Sequence, residues 1–212
     1  MARDREQREE RQAGMLDLLR TIGVNTREHG TVTLGEWDTS ESGPGPVDEC
    51  RRFIREARRA GPHDAVRGLL LVGTMGNGKT QLAVSAIREL LEDPAWGTAD
   101  VVFDNATTLM GELQDTYGGE GSALTIKRRR VHARVWVLDD LGSERPREDP
   151  ARLLYEILNA RALAPTIITS NHTPADIEKR HPEFARVVSR LGSAYFEGVR
   201  VQGADRRYRR AG

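Results

Sequence analysis

The residues best suited to do chemistry lie in the stretch Gly73, Thr74, Met75, Gly76, Asn77, Gly78, Lys79 and Thr80. The pattern G-x-x-x-x-G-K-T follows an apolar run at 69–72 and opens an amphipathic run that begins with Thr80 and Gln81. A strand, a glycine-rich turn and a helix start in that order make a cradle for phosphates. The glycines let backbone N–H groups turn inward, and the helix N-terminus adds partial positive charge. Lys79 would reach the outer phosphates, and the Thr80 hydroxyl would ligate magnesium. A glycine-rich turn with a chance lysine is the bland alternative, and the flanking strand and helix patterns speak against it.

About 60 residues downstream, Arg134 to Gly142 read RVWVLDDLG, an apolar strand ending in two acids. An acid at that position in a phosphate-loop protein holds magnesium, directly or through water. Asp139 takes that role in this reading, and Asp140 is placed to orient or deprotonate an attacking water. The bland reading is a pair of solvated acids at a strand end. Pro165 to Asn171, PTIITSN, is a further apolar strand with a polar tip. If it lies between the other two strands, Asn171 or Thr169 would sit beside the phosphate loop, where an amide can bond both a terminal phosphate and a water.

The surrounding pattern must position these groups. Strands are predicted at 69–72, 101–103, 135–138, 166–169 and 199–201, and helices at 48–60, 79–92, 105–115, 150–163, 174–180 and 183–191. Pro174 suits a first helical position, with Thr173 and Asp176 as a capping pair. Continuous apolar strands alternating with helices call for a parallel sheet covered on both faces. Before this core the first 13 residues are charged and expected to fray. Met15 to Ile22 carry a short apolar helical face that Gly23 stops, and residues 40–47 form a loop rich in breakers. The segment 117–122 is glycine-rich and expected to be mobile.

Composition narrows the setting. The 212 residues carry 32 basic and 32 acidic side chains, so no whole-molecule field favours a polyanion, and any nucleic-acid contact must be a local patch. Two basic clusters qualify: Lys127 to Arg130 with His132 and Arg134, and Arg200 with Arg206, Arg207, Arg209 and Arg210. Such runs are more often solvated faces. The single cysteine, Cys50, allows no internal disulfide. No apolar stretch approaches the roughly 20 residues of a membrane helix. The expected setting is cytoplasmic, with no membrane partner.

RVWVLDDLGSERP, LLYEILNARALAPTIITSN and RVVSRLGSAYFEGVRVQGADRR, in this order, resemble the DnaC/IstB-like AAA+ ATPases, which are helicase loaders and transposition helper ATPases. LLRTIGVNTREHGTVTLGEWD is similar to the lead-in of that family, so the likeness covers about residues 15–207. The resemblance implies an α/β three-layer core with a parallel five-stranded sheet over 61–212, and a short helical extension over 1–60. It implies ATP and Mg2+ as cofactors and ATP hydrolysis coupled to remodelling of a partner. It makes Asn171 the sensor of the terminal phosphate, Arg190 of Ser-Arg-Leu an arginine finger acting on a neighbouring subunit, and Arg207 a late phosphate contact. The implied partners are a replicative DNA helicase, or in the helper branch a transposase, with single-stranded DNA and, when ATP is bound, further copies of the chain in a homo-oligomer. A small-molecule kinase or GTPase is disfavoured, since there is no N-K-x-D motif. The sequence departs from AAA+ proteins at large in carrying Asp140 where Glu is commoner. The segment between Tyr117 and Val135 looks short for a DNA-contacting helix, and no helical lid is expected after the last strand. Lys79→Ala is expected to abolish ATP binding, because the phosphates lose their buried cationic partner; titration with a fluorescent ATP analogue checks this.

Overall fold

The computed structural model of the chain describes residues 2–29, 32–61, 64–115, 120–143 and 148–206. Five strands, β1 (Gly68–Val72), β2 (Val101–Asn105), β3 (Val135–Asp139), β4 (Thr166–Ser170) and β5 (Phe196–Arg200), form one parallel sheet in the order β2-β3-β4-β1-β5. β4 therefore lies between β3 and β1. That order brings the C-terminal ends of three strands side by side at one edge, where α/β folds place ligands.

The sheet is buried on both sides, and its side chains divide by parity. Leu69, Leu71, Val135, Val137 and Ile167 face one core, and Leu70, Trp136, Leu138 and Ile168 face the other. The first core is closed by α1 (Ala2–Thr21), α2 (Gly45–Arg59) and α3 (Lys79–Leu91). Leu19, Ile22, Leu34, Trp37, Phe53 and Leu82 all belong to it. The lead-in over 15–60 thus shares one apolar cluster with the sheet. The second core is closed by α4 (Ala106–Asp115), α6 (Glu148–Ala160), α7 (Pro174–Arg180) and α8 (Ala185–Ser189), through residues such as Leu109, Leu154, Ile177 and Val187.

Several expectations shift. The charged start is helical from Ala2, continuous with the apolar turn that ends before Gly23. The last strand begins at Phe196, earlier than expected. Glu197 and Gly198 break its apolar run, but Phe196 already pairs with Gly68. The Phe196 ring lies where a side chain at Gly68 would have to be. The helix expected over 183–191 is a short 3-10 turn, Pro182–Phe184, followed by α8.

Between the helix predicted to end at 115 and the strand predicted to begin at 135, where no element was predicted, the structure contains a helix, α5 (Glu120–His132). Part of the glycine-rich stretch, 117–119, lies outside the described residues. The helical spacing is masked in the sequence because the inward positions include an arginine. Arg130 follows the half-buried Ile126 by four residues and is only 4% exposed. It donates to both oxygens of Asp104, at 2.9 and 2.7 Å, and to Glu112 at 3.0 Å. Asp104 also accepts from Trp136 Nε1 at 2.7 Å.

A second buried arginine locks the entry of the central strands. Arg161 donates to the carbonyls of Arg130, Ala133 and Pro165 at 2.7, 2.7 and 2.6 Å, and to Thr166 Oγ1 at 3.2 Å. Burial pushes its guanidinium down to about 10. It stays charged at neutral pH, held by backbone dipoles.

Asp104→Ala would leave Arg130 with the half-exposed Glu112 and strand the Trp136 N–H in the core. Breaking a buried pair this way costs about 3 kcal/mol. Urea denaturation should show a lower midpoint with the slope unchanged.

Candidate functional site

The phosphate loop leaves β1 at Val72 and enters α3 at Lys79. Its backbone requires glycine at more than one point, with φ +78° at Gly76 and a close approach of the Val201 carbonyl at Gly73. Gly78 has φ +97°, and the Trp37 ring of the lead-in occupies the space a Cβ would need. Asn77 is fully buried, donates to the Val201 carbonyl at 2.5 Å and accepts from Lys79 Nζ at 3.1 Å. It anchors the loop to the segment after β5. Arg206 N–H donates to the Gly76 carbonyl at 2.9 Å, and its guanidinium lies 3.9 Å from the Trp37 ring centroid. The loop is therefore held from both sides, by the lead-in and by the chain that follows β5.

Lys79 Nζ also donates to the Thr74 carbonyl at 2.7 Å. Burial pushes this ammonium down to about 8, and the charges of Asp140 and Asp139 pull it the other way. A buried ammonium held by two neutral oxygens is suited to an anionic partner.

The two acids at the end of β3 are treated differently by the fold. Asp139 is nearly buried and accepts at one oxygen, Oδ1, from Thr80 Oγ1 at 2.8 Å and from Thr169 Oγ1 at 2.6 Å. Burial raises its carboxyl above the usual range, and those two hydrogen bonds oppose the rise. Asp140 is half-buried with φ +62°, a left-handed conformation that Asp tolerates better than most residues. Its N–H donates to Thr169 Oγ1 at 2.9 Å, and its Oδ1 accepts from Asn171 Nδ2 at 2.5 Å. Thr169 thus joins both acids to β4, and the turn at Asp140 aims the second carboxylate away from the first.

These groups line a cleft of about 590 Å³ with Lys79, Thr80, Asp139, Asp140 and Asn171 on its walls. A larger, mostly apolar cleft of about 730 Å³ adjoins it along β5 and the start of α7. Lys79, Asp139 and Asp140 converge on the smaller one, whereas Gly73 and Thr74 line the larger and Asn171 lines both. A divalent cation fits the smaller cleft. The Thr80 hydroxyl and Asp139 carboxylate are hard oxygen donors already in contact, and magnesium needs only one or two protein ligands beside phosphates and water. Among the described residues no group of three or more His, Cys, Asp or Glu side chains could hold a metal.

Of the remaining expected residues, Met75 is 65% exposed at the loop tip, and Gly76 and Gln81 line the cleft. Arg207 lies outside the described residues, as do Arg209 and Arg210. Arg206, its neighbour, lines the cleft. Arg190 lines neither cleft; it sits at the end of α8 beside Tyr155 and Tyr195. Sequence reasoning missed Arg27, Glu28 and His29 of the lead-in and Asn105 at the end of β2, all on the cleft wall. Asn105 pairs in register with Asp139, which a longer predicted strand at β2 would have revealed. Arg27 to His29 carry no motif, and only packing brings them there.

The model of the IstB-like ATP binding protein family matches residues 51–182, more than half of the chain and all of this framework from β1 to α7. The chain belongs to the IstB-like ATP-binding family. Among solved structures, this IstB-like chain is similar to the DnaC helicase loader, with a TM-score of 0.64 and 26% identity over 80% of this chain and 96% of that one. It also shares its fold with DnaI, at a TM-score of 0.66 and 22% identity over 81% and 92% of the two chains. AMPPCP-bound DnaA from Aquifex aeolicus has the same fold, with a TM-score of 0.64 and 17% identity over 80% of this chain and 50% of that one. No curated protein matches the sequence. The IstB-like chain is thus an AAA+ nucleotide-binding protein of the DnaC/IstB group. Among its described residues no helix is long and apolar enough to cross a membrane.

Proposed function

We propose that this chain hydrolyses ATP and uses the cycle to load a replicative helicase onto single-stranded DNA. The observation that carries the loader reading is the likeness to the DnaC helicase loader over nearly the whole of that chain. Lys79 and the loop N–H groups hold the β- and γ-phosphates. Thr80 and Asp139 hold Mg2+, which when bound would offset charge on the phosphate oxygens. Asp140 orients a water and accepts its proton as the water oxygen attacks the γ-phosphorus and the bond to the β–γ bridging oxygen breaks. Asn171, bonded to Asp140, takes the terminal phosphate as a partner when ATP binds in this reading. Arg190 completes the site of a neighbouring subunit in a homo-oligomer, and Arg207 is proposed as a further phosphate contact. The match to the IstB-like family model favours a second reading, a helper ATPase that marks target DNA for a transposase.

The partner decides between these. ATP-dependent delivery of a replicative helicase to a circular single strand supports the loader. Stimulation of a transposase without any helicase delivery would replace it with the second reading.

Asp140→Asn should retain ATP affinity and lose turnover; an unchanged ATPase rate removes Asp140 from the chemistry. Arginines supplied in trans can be worth roughly 10³- to 10⁵-fold in rate. Arg190→Ala should accordingly keep ATP affinity and depress hydrolysis. Mixing it with Lys79→Ala should recover activity, since Lys79→Ala still lends Arg190 to a neighbour with an intact phosphate loop.

The DNA surface needs correction from the sequence expectation. Of Lys127 to Arg130, Arg130 is consumed in the buried pair with Asp104, and Lys127 bonds Glu156 at 3.0 Å. Arg128 and Arg129 are exposed on α5 and remain the candidates. Arg128→Glu with Arg129→Glu should weaken single-stranded DNA binding at every sequence. The slope of log K against log salt should flatten by about 0.7 for each DNA phosphate that is no longer neutralised. Fluorescence anisotropy across a salt series, with and without a non-hydrolysable ATP analogue, reads both effects.

A further inference from the structure

Arg190 is held in an unusual way for a surface arginine. Its guanidinium carbon lies 5.5 Å from the Tyr155 ring centroid and 5.3 Å from that of Tyr195. Nη1 donates to the Tyr195 hydroxyl at 2.8 Å and Nη2 to the Tyr155 hydroxyl at 3.3 Å. Among the described residues no carboxylate pairs with it. Several other arginines on this chain's surface are treated differently: Arg20, Arg51, Arg52, Arg58, Arg67 and Arg152 each contact a carboxylate within 4 Å.

The two rings are firmly placed. Tyr155 projects from the middle of α6 and packs on the second core. Tyr195 packs on the same core, its N–H donates to Gly192 at 2.9 Å, and its carbonyl accepts from Gly68 N–H at 2.8 Å at the start of β1. Arg190 itself caps α8, with its N–H on the Val187 carbonyl at 2.9 Å. Three separate elements thus converge to hold one guanidinium. A carboxylate in that position would neutralise the charge and compete with any outside anion. Phenol hydroxyls accept hydrogen bonds without doing so, and the ring faces add cation–π attraction. The arrangement fixes orientation while leaving the positive charge available.

We propose that Tyr155 and Tyr195 are positioning residues that hold the Arg190 guanidinium, uncompensated and pre-oriented, for the phosphates bound by a neighbouring subunit. This rests on the reading above that Arg190 acts in trans. The rings restrict the side chain before the neighbour docks, so less rotamer freedom is lost on assembly. The hydroxyls each direct one N–H of a terminal nitrogen, Nη1 or Nη2, and the second N–H of each remains for phosphate oxygens, while Nε is buried.

The test is the double variant Tyr155→Phe/Tyr195→Phe, which keeps both rings and removes both hydroxyl acceptors. Hydrolysis should fall about tenfold in kcat, the scale of one hydrogen bond to a charged group. The KM for ATP and the affinity for a fluorescent ATP analogue should not change, because the variant's own phosphate loop is untouched. Mixing with Lys79→Ala should restore activity, since that subunit lends a correctly held Arg190. Mixing with Arg190→Ala should not. Thermal melting of each variant separates misfolding from misplacement, and the single Phe variants serve if the double one melts early. Wild-type kcat in the Phe variants alongside a crippled Arg190→Ala would overturn the positioning role while leaving the finger in place. Wild-type kcat in Arg190→Ala would overturn the trans reading and this proposal with it. A loss of kcat that Lys79→Ala fails to rescue would assign the tyrosines to the fold of their own subunit, and would equally end the proposal.

Discussion

A single hydroxyl, that of Thr169, joins the parts of this site. It donates to Asp139 and accepts from the Asp140 N–H, so one atom of β4 fixes the relation between two consecutive acids at the end of β3. A hydroxyl can serve both ends of such a bridge because it carries one donor and two acceptor lone pairs. Asp139, so placed, meets Thr80 at the start of α3. Asp140, turned into a left-handed conformation, meets Asn171. The bridge exists only because β4 is inserted between β3 and β1 in the sheet.

The phosphate loop depends on a second constraint, applied from outside the sheet. Trp37 packs on Gly78, Asn77 reaches Val201, and Arg206 bonds Gly76 and stacks on Trp37. The Ala204 N–H donates to Glu41 Oε2 at 2.7 Å, which joins the lead-in directly to the chain after β5. The loop is thus one layer of a clasp closed by segments at opposite ends of the described chain. The lead-in that closes it packs in the same apolar cluster as α1.

Arginine shows how one residue type can serve opposite ends. Arg130 and Arg161 are buried and structural, the first neutralised by acids and the second held by carbonyls. Arg190 is half-buried and held by neutral hydroxyls. Arg128 and Arg129 are exposed. In the sequence, 128, 129 and 130 are indistinguishable members of one basic run. Their helical phase, set by Ile126 against the second core, sends one inward to Asp104 and leaves the others outside.

The sequence by itself determined the phosphate loop, the strand that ends in Asp139 and Asp140, the capped start of α7 and the alternation that makes a parallel sheet. These are legible because each depends on neighbours in the chain: a glycine where φ must be positive, a proline at a helix start, an unbroken apolar run for a strand buried on both faces. The helix α5 was not legible, because a buried ion pair replaced the apolar residue that would have marked its period. Nor were the lead-in's contributions, since Arg27 and His29 reach the cleft, and Trp37 the loop at Gly78, only through packing of the lead-in on the sheet. The tertiary structure alone decided which acid is bridged to which strand, which arginines are spent on the fold, and which cation is held by tyrosines. Those outcomes depend on strand order and on burial, and both are properties of residues far apart in the chain meeting in a low-dielectric interior where every charge must find a partner.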